Sequence, residues 1–358
     1  MKVPILIVGN FLSATRGVRS VCEELAIRLA SRGWSVITTS ACSNRIAKLI
    51  DMVITAIGKQ RRYTIAHVEV YSGFAFCWAE AVCLVLKALG KPYVLTLHGG
   101  NLPAFGRRWP RRVRRILQSA DVVTAPSRFL GERMASFRSD VRVIANGIDL
   151  KAYPYRLRSV PEPRLVWVRA FHFMYNPLLA VDVVHLLQNR FPAIHLTMVG
   201  PDKGDGSFQA VQQAVLRLGI QSTVELTGRV EKKDIASFLH AGDIFLNTTN
   251  IDNAPVSVVE AMACGCCTVS TNVGGIPSLL TDGMDALLVP PQDAQLMAEA
   301  VNRVLVEKGL GASLSRNART KAMLHDWETI IPKWEQLFAD VAEERRRDEM
   351  DVASNIQL

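Results

Sequence analysis

The sequence predicts an α/β protein built as two successive parallel-sheet halves. Short, unbroken β-branched runs alternate with segments of helical apolar spacing, which suits strands buried on both faces. The alternation restarts after Asn146, and the join, IANGIDLKAYPYRLRSVPEPR, is rich in Pro and turn residues. A length of 358 residues also exceeds what one hydrophobic core usually serves.

The first half opens with ILIVG as a strand. Ser20–Arg32 follows as a helix, with Val21, Leu25, Ile27 and Leu29 at helical spacing and Gly33 at its end. SVITTS is the next strand, a helix lies around Ile46–Ile57, and IAHVEVY is a third strand. Phe74–Leu89 reads as a buried helix ended by Gly90, and YVLTLHGG, ADVVTAPS and VRVIAN supply further strands. In the second half RLVWVRAF, IHLTMVG, TVELTG, DIFLNTT, CTVSTN and ALLVP are the strands. Helices fall near Leu178–Arg190, Phe208–Leu218 and Lys233–His240, and another starts at Val256. Two α/β halves of similar size suggest paired Rossmann-like domains. Trp327, Ile331, Trp334 and Leu337 give a closing amphipathic helix, with a frayed tail after it.

With 49% apolar and 21% charged residues the composition is that of a globular protein. The seven cysteines lie mostly in apolar runs without zinc-knuckle spacing, and read as buried reduced thiols of a cytoplasmic protein. MKVPILIVGN has no small-residue cleavage site and reads as a strand rather than a signal peptide. Phe74–Leu89 carries Glu80 and Lys87 and is too short to span a bilayer. Residues 1–150 hold 22 Lys/Arg and 9 Asp/Glu, a net of +13, against −4 for the remainder. The first half is therefore expected to face something anionic. Within it GRRWPRRVRR (Gly106–Arg115) sets six arginines around Trp109. Such a run suits phosphate groups or an anionic lipid surface, and equally a solvated basic helix face. No recognition motif for nucleic acid accompanies it.

DNAPVSVVEAMACG places Asp252 and Glu260 eight residues apart. A helix starting at Val256 presents unpaired N–H groups and a positive dipole end, an anion site. Glu260, about one turn inside, is placed to bridge vicinal hydroxyls, and Asp252 lies in the loop before it. Diphosphate on the helix end, ribose on Glu260 and a sugar near Asp252 make a nucleotide-sugar arrangement. A capping Asp and a helix-dipole Glu satisfy the same spacing. The loop GNFLSATRGVRS lacks GxGxxG, which disfavours a dinucleotide reading.

EAMACG (Glu260–Gly265) and VGGIPSLLTDG (Val273–Gly283) resemble the signature of retaining glycosyltransferase family 4. IANGID (Ile144–Asp149) resembles that family's interdomain signature, HAGDIFLNTT (His240–Thr249) the strand before its acid, and HDWETIIPKWEQLF (His325–Phe338) its terminal helix. Asp252 stands where the family normally has Glu, Asn253 replaces a usual Gly, and Ser278 falls near a usual Glu. The resemblance implies the GT-B fold, an α/β arrangement of two Rossmann-like domains facing a cleft. Residues 1–150 would then take the acceptor and 151–324 the donor. Residues 325–345 would cross back onto the first domain, with 346–358 a flexible tail.

By the same resemblance the activity is retaining transfer from a nucleotide sugar, a UDP-sugar foremost, to a glycan, lipid-linked or small-molecule acceptor. No metal and no cofactor are implied. His98, Arg169 and Asp252 would form the catalytic centre. Gly17, Arg229, Asn253, Ala254, Pro255, Val256 and Glu260 would join Arg169 around the donor. Tyr71, with Arg107, Arg108, Trp109, Arg111 and Arg112, would serve the acceptor or membrane side. Met174 and Tyr175 stand near the place of the family's second donor cation, leaving Lys203 or Arg229 to supply it. Expected partners are the donor, an anionic or lipid-linked acceptor and an anionic membrane surface, at the inner face of the membrane. The alternatives are a nucleotide-sugar 2-epimerase of the same fold and a non-catalytic sugar- or lipid-binding derivative.

Overall fold

The computed structural model describes residues 2–13 and 19–356, without the side chains of residues 348, 349 and 351–356. The chain forms two compact units, Met1–Gly147 with Trp327–Leu358, and Ile148–Asp326.

In the first unit, strands β1 (Ile5–Val8), β2 (Val36–Thr39), β3 (Ile65–Val70), β4 (Tyr93–Leu97), β5 (Val122–Ala125) and β6 (Arg142–Val143) form one parallel sheet in the order β2-β1-β3-β4-β5-β6. Every residue of β1, β3, β4 and β5 is buried, which is why these strands read as apolar runs rather than alternations. The helices are α1 (Val21–Ser31), α2 (Arg45–Gly58), α3 (Ala75–Ala88), α4 (Leu102–Arg108), α5 (Pro110–Ser119) and α6 (Arg128–Met134). Leu6, Val8, Val68 and Leu95 point to one face and pack with Met52, Phe76, Val113 and Leu117. Ile5, Ile7, Ile65 and Val94 point to the other and pack with Leu25, Leu29, Trp334 and Phe338.

The last two belong to the long helix Trp327–Ile356, so this unit is completed by the end of the chain. Trp34 Nε1 donates to Glu335 Oε1 at 2.9 Å and helps fix that helix. The sequence suggests a frayed tail after residue 345, but the helix continues to Ile356. EERRR and DEM favour helix intrinsically and carry no breaker.

Buried in β3, His67 meets the Trp334 ring edge at 5.2 Å, and its Nε2 lies 2.6 Å from Thr96 Oγ1. Burial pushes its imidazole down to about 4, so the folded form holds it neutral. Its contribution is complete above the ordinary value near 6.5 and is lost as pH falls towards 4. Acidification across that window should destabilise the first unit by about 3 kcal/mol from this residue alone. Thermal melts between pH 7 and pH 4 check this; a flat profile would contradict it.

The second unit holds β7 (Arg164–Val168), β8 (His195–Val199), β9 (Val224–Gly228), β10 (Ile244–Asn247), β11 (Cys267–Thr271) and β12 (Ala286–Val289), again all parallel, in the order β12-β11-β10-β7-β8-β9. Helices α7 (Pro177–Leu187), α8 (Ser207–Arg217), α9 (Ile235–Ala241), α10 (Val256–Ala263), α11 (Ile276–Leu279), α12 (Ala294–Val306) and α13 (Leu310–Met323) cover it. One face packs Leu179, Val183, Val211 and Val301; the other packs Leu239, Val258, Met262 and Ala318.

The Pro-rich join is not a loose linker. Arg158 is 1% exposed and donates to Leu239 O at 3.0 Å and Gly242 O at 2.8 Å, satisfying carbonyls at the end of α9. Asp243 accepts from Arg156 at 2.7 Å and Arg164 at 2.9 Å. Residues 156–164 are thereby bound into the second unit.

Candidate active site

Apart from Gly17, the residues expected around the donor lie in the second unit. Strand β10 ends at Asn247, and the chain loops through Asp252 before α10 begins. Asp252 accepts the Asn253 N–H on Oδ1 at 2.8 Å and pairs through Oδ2 with the Arg169 guanidinium, just beyond β7. Arg169 lies 4.5 Å from the Tyr175 ring centroid, and its Nε is buried without a partner among the described residues.

The loop is held from behind by the glycine pair. Gly275 N donates to Asp252 O at 3.0 Å. A Cβ at Gly275 would stand 1.8 Å from Asn253 O, and one at Gly274 2.0 Å from Asp252 O. The GG of VGGIPS is therefore what lets two backbones touch and sets the position of Asp252.

Helix α10 starts behind Pro255, and among the described residues no side chain caps its first turn. Asp252 is thus not its cap, and no side chain among the described residues takes the leading N–H groups of this eight-residue helix. Ser257 Oγ, in that first turn, is buried with no partner among the described residues. Further in, the Glu260 side chain is 3% exposed and pairs with the Lys232 ammonium, from the 3-10 turn Lys232–Asp234. Lys232 also lies 5.9 Å from the Tyr153 ring. Burial, and then the Glu260 charge, push the Tyr153 phenol well above its usual value. The ground state therefore holds two carboxylates, each neutralised by one cation, around an uncapped helix start.

In the first unit, His98 follows β4 and its Nε2 stands 3.1 Å from Glu69 Oε1. Tyr71 stacks on His98 with centroids 5.0 Å apart, and its hydroxyl donates to Glu69 Oε2 at 3.0 Å. Burial, the largest single influence, would raise the Glu69 carboxyl, but His98, with His67 and the Cys22 thiol, together hold it below the usual range. A Cβ at Gly9 would meet Glu69 Oε2 at 2.8 Å, so the first βα turn closes on this carboxylate.

Residues 162–307 match the model of group 1 glycosyl transferases, and residues 45–152 match that of glycosyltransferase family 4. The chain carries a glycosyltransferase family 4 domain and a group 1 glycosyl transferase domain. It is similar to the D-inositol 3-phosphate glycosyltransferase of Mycobacterium ulcerans, 29% identical over 227 residues, 59% of the chain and 48% of that protein. It is also similar to the enzyme of that name from Acidothermus cellulolyticus, 24% identical over 294 residues, 75% of the chain and 64% of that protein. The chain spans about half the length of the first of these relatives. Among solved structures, the Anabaena protein HepE in complex with UDP and glucose superposes with a TM-score of 0.75 at 17% identity, covering 94% of this chain and 100% of that one. Sucrose-phosphate synthase from Thermosynechococcus elongatus gives 0.76 at 19% identity, covering 95% and 99%. These likenesses show the GT-B fold.

The structure brings Arg169, Asp252 and Asn253 together, with Ala254, Pro255 and Val256 leading into α10 and Glu260 within it. Arg229 and Lys203 are exposed, and the cation paired with Glu260 is Lys232. Glu69 and Lys232 are the two residues sequence reading missed. Gly17 lies outside the described residues.

The arginine run is split at Trp109, between α4 and α5. Arg112 is occupied: its Nε donates to Glu80 at 3.0 Å, and it lies 5.7 Å from both the Phe76 and Trp109 rings. Arg107, Arg108 and Arg111 are exposed. Among the described residues no group of three or more His, Cys, Asp or Glu is placed to hold a metal ion. Among those residues, too, no helix is long and apolar enough to cross a membrane.

Proposed function

We propose that this protein is a retaining glycosyltransferase that moves a sugar from a UDP-sugar to an anionic or lipid-linked acceptor. The observation that carries the reading is the pair of neutralised carboxylates flanking the uncapped start of α10. In this reading the diphosphate takes the free N–H groups of α10 and draws Arg169 and Lys232 towards its oxygens. Glu260, released from Lys232, accepts the ribose hydroxyls, and Asp252 faces the sugar. Charge on the departing diphosphate grows as the glycosidic bond breaks, and Arg169 stabilises it there. His98, fixed by Glu69 and Tyr71, serves the sugar and acceptor end, and the exposed arginines of the first unit hold an anionic acceptor or the membrane that carries it. The relatives named as D-inositol 3-phosphate glycosyltransferases and the neighbour solved with UDP support this reading.

The test is thermal stabilisation by UDP-, GDP- and ADP-sugars. At 100 times its dissociation constant, a ligand adds about 2.7 kcal/mol. UDP-sugars should raise the melting temperature by several degrees, and a chain indifferent to all three would refute the reading. Transfer should also persist in EDTA; abolition that added divalent metal reverses would contradict a metal-free reaction.

A nucleotide-sugar 2-epimerase is the second reading, favoured by Glu69, a buried acid beside His98 near the end of β3. The appearance of the C2-inverted nucleotide sugar without any acceptor separates the two.

A further inference from the structure

Helix α2 is built inside out. Its buried residues include Lys48, alongside Met52 and Ala56. Its outer side carries Ile46, Ile50, Ile54 and Ile57, which are 66%, 51%, 62% and 44% exposed. At 3.6 residues per turn these four isoleucines fall within an arc of about 80°. The charged residues of the helix, Arg45, Lys48 and Asp51, all lie off that arc. The Lys48 ammonium turns inwards, donating to Asn10 Oδ1 at 2.5 Å and lying 5.2 Å from the Trp78 ring. Water normally imposes the opposite partition on a surface helix, with ammonium outside and isoleucine inside.

The stripe does not stand alone. Phe74, at the start of the neighbouring α3, is 51% exposed, with the Arg45 guanidinium 5.9 Å from its ring. Arg45 opens α2, and the exposed Lys59, Arg61 and Arg62 follow its end. Asp51 is the only acid between residues 41 and 68, and it is taken by the Thr39 hydroxyl at 2.9 Å. An apolar stripe bracketed by exposed cations that have no carboxylate partner among the described residues is the surface an anionic bilayer complements. A second copy of the chain is a poorer match, because pairing α2 with itself sets like cations against each other.

We infer that α2 lies in the surface of an anionic lipid bilayer. Its isoleucines enter the headgroup–acyl boundary, while Arg45, Lys59, Arg61 and Arg62 meet lipid phosphates. This deepens the membrane reading proposed above and stands apart from the transfer reaction. A protein stabilised by UDP-sugars that ignores vesicles therefore loses only this inference.

The experiment is cosedimentation of the full chain with phosphatidylglycerol-containing vesicles and with pure phosphatidylcholine vesicles. Wild type should prefer the anionic vesicles, and raising NaCl from 0.1 to 0.5 M should weaken that preference. Ile50→Ser with Ile54→Ser, two exposed sites, should keep the melting temperature and lower vesicle partitioning about ten-fold or more. Arg61→Gln with Arg62→Gln should lower it about ten-fold or more on anionic vesicles only. Wild type without anionic preference, or variants that bind as wild type does, would overturn the inference. So would sedimentation velocity showing a wild-type dimer that the isoleucine variant dissolves, since a second copy would then cover the stripe.

Discussion

Arg169→Ala should lower turnover about 100- to 1,000-fold while donor affinity falls far less. The guanidinium is already paired with Asp252 before any donor arrives, so part of its attraction for diphosphate is offset in the ground state. That offset shrinks as the leaving group gains negative charge, and the interaction is strongest in the transition state. Single-turnover rates with donor dissociation constants from calorimetry separate the two effects. Equal losses in rate and affinity would show that Arg169 contributes only to ground-state binding. The Asp252 carboxylate, left without its partner, also adds a local cost, which Arg169→Lys should largely remove by keeping a cation there.

Glu260→Gln is expected to weaken donor binding by about 1–3 kcal/mol, roughly 5- to 150-fold in dissociation constant. The amide keeps one acceptor for a ribose hydroxyl but loses the charge-assisted bond. It also leaves Lys232 without its carboxylate. That ammonium is 45% exposed, so water takes over much of its solvation and the fold should persist. Calorimetry with the UDP-sugar decides the matter, and an unchanged affinity would remove Glu260 from the site.

The sheet order of neither unit is written in the sequence, yet the strands are legible because a parallel sheet covered on both faces demands unbroken apolar runs. YVLTL and ILIV have no polar alternation to confuse with a solvated face, and both are wholly buried. The DNAPVSVVEAMACG stretch is legible as a helix start with one acid before it and one inside it, since all three are local. Glu69 and Lys232 were hidden because their meaning lies in partners 29 and 28 residues away. No spacing rule reports that a 3-10 turn will swing an ammonium onto Glu260. The isoleucine stripe of α2 shows a similar limit: helical periodicity found the helix, but only the packed structure reveals that its apolar side faces outwards.

The discontinuous first unit has a consequence for how the chain must be made. Domains usually fold in the order in which a ribosome releases them, at about 5–20 residues per second. Here the face of the first sheet formed by Ile5, Ile7, Ile65 and Val94 waits for Trp327, Trp334 and Phe338. Those residues emerge only after the whole of Ile148–Asp326, a continuous stretch, has been delivered. At that pace the wait is about 10–40 seconds after Gly147 is made. The second unit can therefore finish first, while the nascent first unit carries a sheet face that α1 covers only in part. Chaperones acting on the nascent chain would meet the protein in that half-covered form.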